Sequence, residues 1–197
     1  MQSDFTSQFP VRVGRTHEVT GPSATSFAFA LAGARGGAVL WVCEAWLADQ
    51  INPMGFGIYM DPQNLLITKV KDQTDALAVT EEALRSGAVN VVVVELTKPL
   101  SFTAGRRLQL AAEAGKSTGL CLLPEGMGNN AAQTRWHCAP LFDATPSQTD
   151  STLQRWEIIK NKSGTLKIWD VKWDAQTRRI SVVSEVAQRT GSARTPD

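Results

Sequence analysis

Short apolar runs alternate with helix-length segments through the first two-thirds of this chain, and that alternation limits the folds open to it. AVLWVC at 38–43, NLLITKV at 64–70, VNVVVVEL at 89–96 and STGLCLLP at 117–124 read as strands, preceded by the shorter THEVTG at 16–21. Continuous apolar runs of this length fit strands covered on both faces. Between them lie ATSFAFALAGA at 24–34, EAWLADQIN ending near Pro53, QTDALAVTEEALRS at 73–86 and SFTAGRRLQLAAEAG at 101–115. Each reads as a helix. Gly36-Gly37 break the first, Ser86-Gly87 end the third, and Ser101 or Thr103 caps the fourth. Strands and helices in this order mean βαβ units, a parallel sheet and right-handed crossovers with helices on both faces.

The last third changes character. EGMGNNAAQ at 125–133 is a Gly/Asn loop whose composition suits mobility, TRWHCAPL reads as a strand, and FDATPSQTD at 142–150 is a second loop. LQRWEIIKNK, SGTLKIWDVKWD and RRISVVSEV read as strands joined by tight turns, with Trp169, Val171 and Trp173 alternating onto one face. They predict an antiparallel extension of the sheet. The chain divides into an N-terminal extension at 1–14, a single domain at 15–187 and a flexible tail at 188–197.

Composition removes several function classes. No run of eighteen apolar residues exists, so no membrane helix is expected. MQSDFTSQFPVRVG lacks the apolar stretch of an export signal, which favours a cytoplasmic protein. Cys43, Cys121 and Cys138 are odd in number and lack metal-ligand spacing, so ordinary buried thiols are expected and no metal site. His17 and His137 have no nucleophile at a recognisable spacing. Charge is uneven: residues 1–150 carry 11 basic and 14 acidic side chains, while 151–197 carry 9 basic and 5 acidic. The basic end suits an acidic partner or a solvated sheet face.

The chemistry-bearing stretch is HEVTGPSATSFAFAL at 17–31, a strand running through a small-residue loop into a helix. Set against the phosphate-loop pattern G-x-x-x-x-G-K-[ST], Gly21 keeps the first glycine and Pro22 follows it. Ser26, Phe27 and Ala28 replace the second glycine, the lysine and the hydroxyl. Phe27 offers no cation to a phosphate, and Ala28 no ligand to magnesium. On spacing alone the stretch reads as an ordinary strand–turn–helix junction.

Wider phrases add a resemblance. EVTGPSATSFAFAL resembles the strand and phosphate loop of RecA. DPQNLLIT resembles the phrase before its third core strand, LRSGAVNVVVVEL its Walker B helix end and strand, and RRLQLAAEAGKSTGLCLLPEG the helix and strand that follow. The missing loop lysine, LRSGAV and TAGRRLQLAAE are similar to ImuA-like proteins, RecA-related accessory proteins of bacterial damage-induced (SOS) mutagenesis. The resemblance implies an α/β fold with a RecA-like core, mainly parallel, with helices on both faces and an antiparallel C-terminal extension. It places Glu95 where a Walker B acid holds magnesium through water, and Glu44 near the catalytic carboxylate. Pro124-Glu125 falls where RecA has a γ-phosphate sensor.

With cation, hydroxyl and sensor replaced, the resemblance implies a vestigial nucleotide site, no enzyme activity and no cofactor. It implies contact with an ImuB-like Y-family polymerase homologue in translesion synthesis. Two alternatives stay open: a modulator binding RecA or single-stranded DNA, and a degenerate RecA/KaiC-type ATPase using Glu44 and Glu95. Self-association also stays open. Candidate partner or DNA contacts are Arg106 and Arg107 on a helix, Arg135 and Trp136 after the Gly/Asn loop, and Arg178, Arg179, Arg189 and Arg194 in the basic end. For Trp136, core packing is the competing reading.

Overall fold

The computed structural model describes residues 2–48, 50–143 and 152–186. Strands β1 (Thr16–Thr20), β2 (Val39–Glu44), β3 (Leu65–Val70), β4 (Val91–Glu95), β5 (Thr118–Leu122) and β6 (Thr134–Pro140) pair in parallel. Strands β7 (Gln154–Asn161), β8 (Ile168–Asp174) and β9 (Arg179–Val186) continue the sheet antiparallel, in the order β3-β2-β4-β5-β1-β6-β7-β8-β9. This is the α/β architecture expected, mostly parallel with an antiparallel C-terminal extension.

The pleat sorts each strand between two cores. On β4, Val91 and Val93 join the core beneath α1 (Gln2–Gln8), α2 (Ala24–Arg35) and α3 (Pro53–Phe56). Val92 and Val94 join the core beneath α4 (Gln73–Ser86) and α5 (Phe102–Gly115). Local signals set the helix bounds. Asp72 caps α4 by accepting from the Thr74 and Asp75 N–H groups, and left-handed Gly87 ends it. Ser101 caps α5 through the Ala104 N–H.

Past β1 the first core becomes aromatic. Trp136, Trp156 and Trp169 from β6, β7 and β8 are fully buried there, while the opposite face of β7–β9 is mostly polar, with Ile159 and Val183 exposed among its charged and hydroxyl side chains. Arg155 grips Asp170 through two hydrogen bonds of 2.8 and 3.0 Å, and Ser184 donates to the same carboxylate. A sheet with one packed face and one wet face takes this alternation.

One expectation changes. EAWLADQIN is not a helix: residues 45–46 form a turn, and the next helical residues are Pro53–Phe56. Pro53 disfavours the helical region for Asn52, which is extended and caps α3 by accepting from Met54 N–H. The segment before residue 15 adds α1 to the first core. Phe5 and Phe9, one helical turn apart, pack on Trp169, Trp156 and Phe27 and are buried with them. The three cysteines are free and buried, and burial pushes the Cys121 and Cys138 thiols well up.

Candidate functional site

Between β1 and α2 stand only Gly21, Pro22 and Ser23. Phosphate loops work by presenting several free backbone N–H groups to an anion. Here Ser23 N–H donates to Cys138 O and Ala24 N–H to Gly21 O, both at 3.0 Å, and Pro22 has none. Gly21 has φ of 91°, and a Cβ there would stand 2.4 Å from the Cys138 carbonyl oxygen. The loop therefore closes down on β6. Helix α2 begins at Ala24, two residues before the position of the second glycine, so Ser26, Phe27 and Ala28 are already helical. Phe27 turns into the aromatic core, its ring centroid 4.7 Å from Trp156 and 5.2 Å from Trp136. Both Phe27 and Ala28 are fully buried.

Next to this junction, at the C-terminal ends of β2, β4 and β5, a cavity of about 500 Å³ opens between the start of α2 and the segment leading into α3. Open α/β sheets place ligands at this end of their strands. Its floor is aromatic: Phe29 is stacked between Trp41 and Phe56 at centroid distances of 5.0 and 4.7 Å, with Tyr59 beside them. Ser26 and Thr25 form the α2 wall, and Pro124 closes the β5 side.

Of the two acids singled out in the sequence, Glu95 stands in the cavity, and Glu44 lies outside its lining, bonded to the lining residue Thr97. Glu95 lines the cavity and accepts a short hydrogen bond from Trp41 Nε1–H. Glu44 is buried and accepts from Trp46 Nε1–H and Thr97 Oγ1–H, both at 2.8 Å. Burial, and secondarily the Glu95 charge, push the nearby Cys43 thiol up, against an opposing pull from Lys69. No ion pair involving Glu44 or Glu95 occurs among the described residues. Glu125 stands 3.1 Å from His137 Nε2.

The other candidates do not gather into one surface. Trp136 is fully buried, so it offers no face to a nucleic-acid base; the β6 pleat turns Thr134, Trp136 and Cys138 inward together. Arg135 bonds the buried Glu18 at 2.7 Å and donates to Asn129 O at 2.8 Å. Asn129 N–H in turn donates to Glu18 at 3.1 Å. Lys160 and Lys162, absent from the sequence-based candidates, donate to the carbonyls of Asn130, Ala132 and Ala131. The Asn129–Ala132 part of the Gly/Asn loop is thus held by cations rather than left loose. Arg106 is exposed on α5, and Arg107 pairs with Glu81 on α4 at 2.7 Å. Arg178 and Arg179 are exposed at the β8–β9 turn, on the edge strand four places beyond β1. Arg189 and Arg194 lie outside the described residues.

Fold and junction together define an α/β core consistent with a RecA-like one, with a closed strand–helix turn where a phosphate loop would stand. No family model matches the chain. It is 31% identical over 157 residues to Protein ImuA of Caulobacter vibrioides, in both strain NA1000 / CB15N and strain ATCC 19089 / CIP 103742 / CB 15. The match takes in 68% of this chain and 63% of those proteins, so the chain spans just under two-thirds of their length. The chain is ImuA-like, in keeping with its LRSGAV and TAGRRLQLAAE phrases. Among the described residues no helix is long and apolar enough to cross a membrane.

Proposed function

We propose that this chain is a non-catalytic accessory protein of damage-induced mutagenesis, acting by contact with an ImuB-like Y-family polymerase homologue during translesion synthesis. The observation that carries the non-catalytic part is the β1–α2 junction. Its amides are engaged by neighbouring carbonyls, and the side chain at the lysine position is a buried phenylalanine. A triphosphate brought there would meet Glu95 with no lysine beside it, and like charges at contact distance repel. The similarity to Protein ImuA supports the mutagenesis setting, and the partner follows from the family resemblance. A fold kept without its nucleotide chemistry works through its surfaces.

The test is to tag the protein in its source cells, damage their DNA and identify what co-purifies, alongside an ATP-hydrolysis assay on the pure protein. A Y-family polymerase homologue in near-equal amount, with no hydrolysis above background, supports the proposal. Recovery of RecA or DNA alone transfers the reading to a modulator. Hydrolysis lost on Glu95→Gln, which keeps an acceptor for Trp41, transfers it to an ATPase.

A further inference from the structure

The cavity beside the closed loop keeps ligand-sized dimensions after its phosphate-binding features have gone. Pockets of several hundred Å³, mostly apolar with a few placed polar groups, are the usual form of small-ligand sites. Glu95 is the sole charged side chain among the described residues lining it. Its carboxylate accepts from a neutral indole, and Glu44 behind it accepts from an indole and a hydroxyl. One carboxylate, Glu95, thus stands in the cavity held by a neutral donor. The remaining lining is apolar or uncharged and includes the aromatic residues Phe29, Trp41, Phe56 and Tyr59. Negative charge set against aromatic surface favours a cation with an apolar body over any anion.

We propose that this cavity is a binding site for a flat organic cation, an amidinium or guanidinium group, seated against Glu95 with its apolar body over the aromatic floor. The head group donates to the Glu95 oxygen, and its stem replaces water along Leu47, Ile51 and Phe56. A free small molecule and an arginine side chain of a bound peptide share this chemistry. The proposal does not depend on the identity of the partner protein.

Three molecules of one shape test it: benzamidine, benzamide and benzoate, carrying positive, zero and negative charge. Binding to the full chain is read by ligand-observed NMR and calorimetry at millimolar ligand. The expected order is benzamidine, then benzamide, then benzoate, with about a tenfold preference for the cation over the neutral ring. Glu95→Gln retains an acceptor for Trp41 and should abolish that preference. Gly55→Leu serves as a second variant: a Cβ at Gly55 meets nothing within 4 Å, and the residue lines the cavity. It should fill the space and remove binding of all three while leaving the melting temperature in place. An acetylated Gly-Arg-Gly amide that outcompetes benzamidine assigns the site to a peptide arginine, and the reverse assigns it to a free aromatic cation; both support the site. Benzoate binding as well as benzamidine, a preference unchanged in Glu95→Gln, or no binding of any ring overturns it.

Discussion

Restoring the two phosphate-loop residues, Phe27→Lys with Ala28→Thr, should destabilise the protein without creating a nucleotide site. Phe27 has no exposed surface and touches Phe9, Trp136 and Trp156 at centroid distances of 5.6, 5.2 and 4.7 Å. Removing a buried phenylalanine ring costs about 3–5 kcal/mol, and a lysine stem refills only part of that space. Its ammonium, if it stayed among the rings, would add a desolvation penalty; more readily it snorkels out and disturbs α2. A net loss of about 4 kcal/mol is a large fraction of a domain stability of about 5–15 kcal/mol. For a chain of this size it lowers the melting temperature by roughly 8–16 °C. Thermal unfolding followed by circular dichroism reads the shift, with Phe27→Leu as a milder control. Calorimetry with magnesium and ATP on the folded double variant reads affinity. Because Ser23 and Ala24 N–H remain bonded to Cys138 and Gly21 carbonyls, no micromolar binding is expected. Micromolar ATP affinity with an unchanged melting temperature would refute the reasoning, since the loop would then have been open all along.

Three further outcomes follow from particular residues. His17 is fully buried between Thr134 Oγ1 and Arg12 O, and burial lowers its pKa from 6.5 to about 4. The unfolded chain therefore binds the proton more readily than the folded one between these values. Its contribution is intact above about pH 6.5 and declines as pH falls toward 4, by roughly 3 kcal/mol in all; urea midpoints across that window should slope less steeply in His17→Gln. Arg135→Ala leaves Glu18 buried beside one backbone N–H and should cost about 3 kcal/mol by urea unfolding, with Glu18→Gln added to it recovering part. Deleting residues 188–197, which removes Arg189 and Arg194, should weaken partner binding in a pull-down; unchanged affinity would remove the tail from the contact surface.

The parallel sheet was legible because period and length speak for themselves in runs such as VNVVVVEL, whose alternate valines face the two cores. The cap at Ser101 follows from residues three apart. The misread pieces depend on longer reach or on a single local veto. EAWLADQIN has helical composition, but Pro53 hands Asn52 to a new helix as its cap. Phe5 and Phe9 carried an i, i+4 signal, too short to weigh until Trp156 and Trp169 supply the surface they cover. Arg135 and Trp136 are neighbours in sequence and opposites in space, which the strand alternation at 134–138 already contains. The Glu18–Arg135 pair joins residues 117 apart, and spacing has no access to it. Motif spacing also could not reveal that α2 starts at Ala24, the fact that closes the phosphate loop.

The retained acids have a reason to persist that needs no nucleotide. Trp41 is buried against Phe29, and its indole N–H finds its acceptor in Glu95. Glu44 joins the end of β2 to the segment after β4 by accepting from Thr97, and fixes the following turn by accepting from Trp46. A buried donor stripped of its acceptor costs about 1–3 kcal/mol. Loss of function in Glu95→Ala would accordingly confound chemistry with packing. Glutamine at 95 keeps an acceptor for the indole and removes the charge, so it separates the two. If the carboxylate serves packing alone, Glu95→Gln is silent in every assay. If its charge matters, the change appears in ligand charge preference before it appears in the melting curve.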